Sequence, residues 1–114
     1  MAHTIFEKII KKEIPADIVY ETENVLAFKD INPKAPVHIL IIPKITEIEK
    51  LTDIKGSEHS KLLGELFDAV NEVAKIMGVY ESGFRIVINC GPDGGQEVYH
   101  LHLHLLGGAK LPFK

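Results

Sequence analysis

The sequence predicts an α+β domain in which a largely antiparallel five-stranded sheet packs against one long and one short helix. Five short runs of branched and apolar residues are bounded by Pro, Gly, Asn or charged positions, as strands commonly are. A longer stretch, residues 57–77, instead repeats its apolar residues every three or four positions, which is the period of one helix face. The resulting order of helix, three strands, helix and two strands is typical of an α+β domain.

The two helices are predicted from this periodicity and from the residues at their ends. The short helix covers Thr4 to Lys12, with Thr4 as its N-cap and Pro15 as the residue that ends it. The long helix runs from Ser57 to Met77, and Gly78 follows at its C-terminal end. The stripe that we expect it to pack on the sheet comprises Leu62, Leu63, Leu66, Phe67, Val70, Val73, Ala74 and Met77.

The strands are predicted at five places. The first two, Asp17–Tyr20 and Asn24–Phe28, are joined by a short polar connection and should form a hairpin. The third, Val37–Ile42, is branched and apolar apart from one histidine, which predicts burial on both faces in the middle of the sheet. Phe84–Asn89 and Val98–Leu106 are the last two strands.

Composition limits the possible functions. A chain of 114 residues is sufficient for one domain, residues 1–114, and its 46% apolar and 25% charged residues are ordinary for a globular protein. The net charge of −3 and the absence of a basic run longer than Lys11-Lys12 argue against binding a nucleic-acid polymer. The single Cys90, the lack of a leader-like segment and the lack of a long apolar run predict a cytoplasmic protein without a membrane span.

The most informative motif is a row of alternating histidines near the C-terminus. Because successive side chains of a strand point to opposite faces, the alternation predicts one face of imidazoles and one face of core residues. The imidazole face comprises His100, His102 and His104, and the opposite face comprises Tyr99, Leu101, Leu103 and Leu105. Imidazole titrates near neutral pH, so the row can supply a nucleophile, a proton donor or a metal ligand.

Three interpretations of the histidine row are open. The residues could simply fill an exposed strand face, or two of them could bind zinc together with His38 or a carboxylate. The third interpretation is catalysis, because the glycine-rich turn of residues 91–96 lies directly before the row and its backbone N–H groups could bind a phosphate. An imidazole can then attack phosphorus and form a phosphoryl-histidine that water resolves, with no metal or other cofactor required.

The chain resembles the histidine triad (HIT) superfamily, and within it the Hint branch of purine nucleoside phosphoramidases. The resemblance rests on His100-Leu-His102-Leu-His104-Leu-Leu, which matches the triad motif, and it extends over nearly the whole chain. The other matching motifs are Thr4-Ile5-Phe6, Glu13-Ile14-Pro15, Phe28-x-Asp30-Ile31, Pro33-x-Ala35-Pro36-x-His38, Asn89 and Asp93-Gly94-Gly95-Gln96.

The resemblance implies hydrolysis of the P–N bond in purine nucleoside 5′-monophosphoramidates, with aminoacyl adenylates as further substrates. His102 would be the nucleophile that becomes nucleotidyl-histidine, and His104 would bind or protonate at the phosphate. His100 would orient its neighbours, and His38 would pair with the triad, although on its own it could equally be a core histidine. A non-catalytic nucleotide-binding module is the alternative from another functional class.

The resemblance also implies the nucleotide contacts. Asp30 would accept hydrogen bonds from the ribose hydroxyls, although an Asp at this point could equally form a turn. The phosphate would meet Asn89 and the backbone at Gly95, Gln96 and Glu97. The slot for the base would be lined by Ile5, Phe6, Ile9, Phe28 and Ile31.

One position departs from the pattern of eukaryotic members, which carry a serine where this chain has Glu97. The form Gln96-Glu97-Val98-Tyr99 is similar to that of bacterial members. An ionised carboxylate would repel a phosphate, so we expect the Glu97 side chain to turn away from it and the backbone N–H to serve. The resemblance further implies a homodimer in which two sheets join and the long helices pack together.

Overall fold

The computed structural model describes residues 4–112, which form one five-stranded antiparallel sheet with helices on its two faces. The order of the strands across the sheet is β1-β2-β3-β5-β4. The elements are α1 (Ile5–Ile10), β1 (Ile18–Glu21), β2 (Val25–Lys29), β3 (Val37–Pro43), a short 3₁₀ turn (Leu51–Asp53), α2 (Ser60–Ile76), β4 (Phe84–Val87) and β5 (Leu103–Gly107). The predicted α+β class, the hairpin and the central third strand are confirmed.

The central strands separate two apolar clusters, one on each face of the sheet. Alternate residues of β2 and β3 pack under α2, and the residues between them pack under α1. The first set comprises Val25, Ala27, Ile39 and Ile41, and the second comprises Leu26, Phe28, Leu40 and Ile42. Burial of β3 on both faces explains its nearly continuous apolar sequence.

Helix α1 is short but well anchored. The Thr4 hydroxyl accepts a hydrogen bond from the Glu7 N–H (3.1 Å), which confirms Thr4 as the N-cap. Phe6 and Ile9 are buried against the α1 face of the sheet. The helix ends at Ile10, well before Pro15, because the chain turns at Lys12 with a φ of 62°.

Helix α2 begins at Ser60, three residues later than predicted, because residues 55–59 form a turn closed by hydrogen bonds to the Lys55 carbonyl. Gly78 follows with a φ of 76°, as a C-terminal glycine should. The assignment of Phe67 to the core stripe was wrong, since this side chain is 52% exposed. Leu66 and Val70 occupy the sheet-facing side, and a step of about 100° from Leu66 turns Phe67 toward solvent.

The histidine strand is shorter than predicted. Strand β5 covers Leu103–Gly107, so of the three triad histidines it contains His104 alone. The preceding residues bond to a loop rather than to a neighbouring strand, as shown by the Leu101 N–H, which donates to the carbonyl of Ile48 (3.0 Å). The leucines still pack under α2 as expected, but Tyr99 is exposed and its assignment to the core face was wrong. The fourth strand likewise ends early, at Val87.

None of the helices within residues 4–112 is both long and apolar enough to cross a lipid bilayer.

Candidate active site

A cavity of about 590 Å³ opens between α1, the loop after β2 and the glycine-rich turn, a size suited to a small-molecule ligand. One side is apolar, and the predicted base-slot residues Ile5, Phe6, Ile9, Phe28 and Ile31 all line it. The Phe6 and Phe28 rings meet edge to face with their centroids 5.5 Å apart. Ile31 is 90% exposed and therefore stands at the mouth.

His102 lies at the floor of this cavity with its ring orientation fixed. Its Nδ1 is 2.7 Å from the His100 carbonyl oxygen, which can only accept a hydrogen bond. The Nδ1 atom therefore carries the ring proton, and Nε2 of the neutral ring keeps its lone pair. Phe6 packs edge to face on the His102 ring at a centroid distance of 5.0 Å, which holds the ring in place.

His100 does not line the cavity and lies behind it, 1% exposed. Its Nε2 donates to the carbonyl of Pro43 (2.8 Å), while its own carbonyl accepts from His102. His100 still shares a face with His102, because Phe6 packs edge to face on both rings at centroid distances of 6.1 and 5.0 Å, so the predicted imidazole face holds although His100 does not reach the cavity. Its position agrees with the orienting role that the resemblance implied.

His38 and His104 form a second hydrogen-bonded pair across neighbouring strands. The His38 Nδ1 accepts the Lys34 N–H (3.0 Å), so its Nε2 must carry the proton that is shared with His104 Nδ1 (2.9 Å). His104 Nδ1 is thereby the acceptor, and its Nε2 carries a proton. The two triad residues consequently offer different atoms to a ligand, a lone pair on His102 and an N–H on His104.

Burial keeps all four imidazoles neutral at pH 7. It lowers the pKa of His38, His100 and His102 below the usual value of 6.5, and it lowers the pKa of His104 to about 4. The Asp30 carboxylate opposes this effect at His38, with its Oδ2 3.4 Å from His38 Nε2, but burial has the larger effect on that pKa. A neutral imidazole is the form that can attack phosphorus.

Asp30 has the local role of a turn residue and also faces the cavity. Its Oδ1 accepts the Asn32 N–H at 2.7 Å, as in an Asx turn, and its Oδ2 faces His38. The carboxylate also lines the cavity next to the apolar slot. The turn therefore fixes the direction of a carboxylate that a ligand can reach.

The glycine-rich turn forms the opposite wall, and part of its hydrogen-bonding capacity is used internally. The N–H groups of Gly95 and Gln96 donate to the carbonyls of Pro92 and Gly91 at 3.1 and 3.0 Å. The Asn89 amide donates to the carbonyl of Gly94 at 2.8 Å. Asn89, Gly95 and Glu97 line the cavity, whereas Gln96 is buried outside it.

Gln96 instead clamps the turn from below, a role that the sequence did not suggest. Its Oε1 accepts the Gly91 N–H at 3.0 Å, and its Nε2 donates to the carbonyls of Glu49 at 2.6 Å and Val98 at 3.0 Å. The side chain thereby ties the wall of the cavity to the loop after β3 and to the segment before the triad.

Other cavity residues were also missed by the sequence reasoning. They are Ile14, Pro15, Ala16, Lys29, Asn32, Lys34, Leu40, Val87, Val98 and Leu106. Most are apolar residues of kinds that normally fill a core, so nothing in their spacing distinguished them. Lys29 and Lys34 are charged residues near the predicted Asp30 and could have been found by their proximity to it.

Comparison with known proteins is consistent with this geometry. The model of the HIT domain matches residues 11–111. The chain belongs to the HIT domain family. It is 56% identical over 95% of its length to a 14 kDa zinc-binding protein of Zea mays, of which the match covers 84%. It is 50% identical over 95% of its length to the purine nucleoside phosphoramidase of Escherichia coli K12, of which 89% is covered.

Solved structures show the same relationship. The crystal structure of a HIT family hydrolase from Legionella pneumophila superposes with a TM-score of 0.92 and 45% identity, covering 97% of each chain. The predicted family and fold are thus confirmed, and so is the prediction that the chain is a HIT-family enzyme.

Proposed function

We propose that the chain hydrolyses the P–N bond of purine nucleoside 5′-monophosphoramidates through a nucleotidyl-histidine on His102. The observation that supports this most strongly is the fixed tautomer of His102, a buried neutral ring with Nδ1 committed to a carbonyl and an Nε2 lone pair beside the cavity. Activity on this substrate class is also what the name of the Escherichia coli relative states for that protein.

The reaction takes place in two displacements. The His102 Nε2 forms a bond to phosphorus while the P–N bond breaks, and the departing amine takes up one proton from solvent, to which the later attack by water returns one. His104 Nε2–H donates a hydrogen bond to the phosphate oxygens or to the leaving nitrogen, where charge develops. Water then cleaves the bond between His102 and phosphorus, which releases the nucleoside monophosphate and restores the neutral imidazole. Aminoacyl adenylates react in the same way with a carboxylate as the leaving group.

The remaining contacts orient the nucleotide. The base lies in the apolar slot between Phe6, Ile9 and Phe28, and the ribose hydroxyls donate to Asp30. Asn89 and the backbone around Glu97 lie on the phosphate side. The Glu97 side chain is exposed at the cavity, and because a carboxylate cannot donate to an anionic oxygen we expect its backbone N–H, not its side chain, to serve the phosphate.

The direct test is hydrolysis of adenosine 5′-phosphoramidate by the purified protein with and without a metal chelator. We expect activity that survives the chelator and is lost in His102→Ala. His59→Ala is the matched control, since His59 lies outside the cavity and we expect it to keep the wild-type rate. Binding of AMP without any turnover would instead support the non-catalytic module.

Metal binding is a second candidate function, and one cluster favours it. Ligand atoms of Asp30, His38 and His104 lie within 4.8 Å of one another, and the Zea mays relative is named as a zinc-binding protein. Zinc there would replace the proton that His38 and His104 share, so it would compete with the role of His104. Inhibition by added Zn²⁺ is therefore expected, whereas activity that a chelator abolishes would overturn the metal-independent reaction.

Assembly into a homodimer is the last part of the proposal. Strand β4 stands at the edge of the sheet, where a second copy could extend it, and Phe67 and Ile76 of α2 are more than half exposed at 52% and 53%. Sedimentation equilibrium should give twice the chain mass of 12.7 kDa. A mass of a single chain at micromolar concentration would contradict this expectation.

A further inference from the structure

The charged residues of the cavity are divided unequally between its two walls. Those that line it are Lys29, Asp30, Lys34 and Glu97. The first three belong to one stretch, residues 29–34, at the end of β2 and in the loop after it. Glu97 instead follows the glycine-rich turn on the opposite wall. Among the described residues 4–112, it is the only charged residue on that wall of the cavity.

The charges on the first wall already have partners within the chain. Lys29 forms an ion pair with Asp17 at 3.4 Å. The Lys34 ammonium donates to the carbonyl of Asn32 at 3.2 Å, and the Asp30 carboxylate accepts the Asn32 N–H at 2.7 Å. A charged ligand would have to compete with these contacts on that side.

Glu97 differs in that its carboxylate is both exposed and uncompensated. It forms no ion pair with any residue of the described range 4–112. The backbone around it is nevertheless fixed, because the buried Gln96 side chain donates to the carbonyls of Glu49 and Val98 at 2.6 and 3.0 Å. The carboxylate can therefore accept hydrogen bonds from a cation without giving up an existing partner.

The proposed binding mode indicates which part of a substrate this carboxylate meets. The base lies between Phe6 and Phe28 and the ribose binds Asp30, so the nucleoside fills the wall formed by α1 and the loop after β2. His102, 7% exposed, attacks phosphorus from the floor of the cavity. In a direct displacement the leaving group departs on the side opposite the attacking atom, which here is away from the floor and toward the mouth. The wall that the nucleoside leaves free at the mouth is the wall of Glu97.

We propose that Glu97 is a specificity-determining residue that favours substrates whose leaving amine carries a second, cationic group, such as the phosphoramidate of a diamine. The Glu97 side chain cannot donate to the phosphate, but it can accept from an ammonium group that follows the reacting nitrogen. A leaving group that ends in a carboxylate would be repelled at the same place. This inference rests on the phosphoramidate hydrolysis proposed above.

The test uses two substrates that differ in one charge. They are the adenosine 5′-phosphoramidates of diaminobutane, which ends in an ammonium group, and of aminobutanol, which ends in a hydroxyl group on a chain of the same length. Wild-type protein should show a higher kcat/KM for the ammonium substrate. Glu97→Gln should reduce the ratio of the two values by roughly threefold, the effect of one exposed charge pair. Glu97→Asp should retain part of the ratio, and raised KCl should decrease it in the wild type.

Asp93→Asn is the matched control, because Asp93 is exposed in the same turn but does not line the cavity. We expect this variant to keep the wild-type ratio. An unchanged ratio in Glu97→Gln, or an equal fall in Asp93→Asn, would overturn the inference. An equal change of kcat/KM on both substrates in Glu97→Gln would also overturn it, since the carboxylate would then act on the phosphate that they share.

Binding provides a second measurement that does not depend on turnover. Calorimetric titration of the same two compounds into His102→Ala protein should give a tighter Kd for the ammonium compound, and adding Glu97→Gln should reduce this preference. Equal affinities in the presence of Glu97 would contradict the inference. Failure of the wild-type protein to hydrolyse either compound would count against the proposed function, whereas the two affinities would still decide the role of Glu97.

Discussion

The clamp formed by Gln96 yields a stability prediction with a magnitude. Replacing it by Ala leaves the Gly91 N–H and the carbonyls of Glu49 and Val98 without the partner they have at 2.6–3.0 Å. A buried hydrogen bond contributes about 1 kcal/mol net, so the loss of three should lower the free energy of unfolding by about 3 kcal/mol. With about 2.1 cal/mol/K of unfolding entropy per residue over 114 residues, Tm should fall by about 12 °C.

The measurement is thermal unfolding followed by circular dichroism, with Asn24→Ala as the control. Asn24 donates through its side-chain amide to Glu65 at 3.1 and 3.3 Å and lies away from the cavity. We expect the control to lose about 1 kcal/mol, or about 4 °C. Because Gly95 and Glu97 flank the clamp, Gln96→Ala should also weaken AMP binding more than the control does. A Tm no lower than that of Asn24→Ala would refute the reasoning.

Three further predictions follow from single features of the structure. In Gly94→Ala the new methyl group would meet the backbone of Cys90, so chemical denaturation should show a loss of about 1–3 kcal/mol; an unchanged midpoint would disprove the clash. Thr4→Ala removes the cap that binds Glu7 and should cost about 1 kcal/mol in the same assay, unlike Thr4→Ser, which should be nearly neutral. Burial lowers the pKa of His104 from 6.5 to about 4, so between these pH values the unfolded chain binds a proton that the folded chain does not. The free energy of unfolding should therefore be highest above pH 6.5 and fall as the pH drops toward 4. Urea midpoints that stay constant over this range would contradict this prediction.

Local patterns predicted most of the fold because each element has a face that must be buried. The period of residues 57–77 identified α2, and the apolar run of β3 identified the central strand, since both patterns directly reflect their surroundings. Phe67 was misplaced because periodicity cannot set the width of a buried stripe. The start of β5 was misplaced because alternation continues through residues whose hydrogen bonds go to a distant loop.

The candidate site was predicted unevenly for a similar reason. The imidazoles and Asp30 could be named because their side chains carry reactive chemistry and stand in a recognisable motif. The tautomers of His102 and His104 could not be predicted, since they depend on a backbone carbonyl and on a histidine 66 residues away. The backbone of Gln96 was assigned to the phosphate, but the role of its side chain could not be predicted, because its partner Glu49 is 47 residues away and only the folded chain brings the two together.

The central claim is covalent catalysis by His102, and one measurement tests it most directly. A single turnover of adenosine 5′-phosphoramidate labelled in the nucleotide is quenched at successive times in alkaline denaturant, which preserves a bond between phosphorus and histidine. The account predicts a protein-bound label that maps to the peptide containing His102, rises before AMP appears and decays at the rate of AMP release. Formation of AMP at the same rate in His102→Ala, without any protein-bound label at any time, would contradict it.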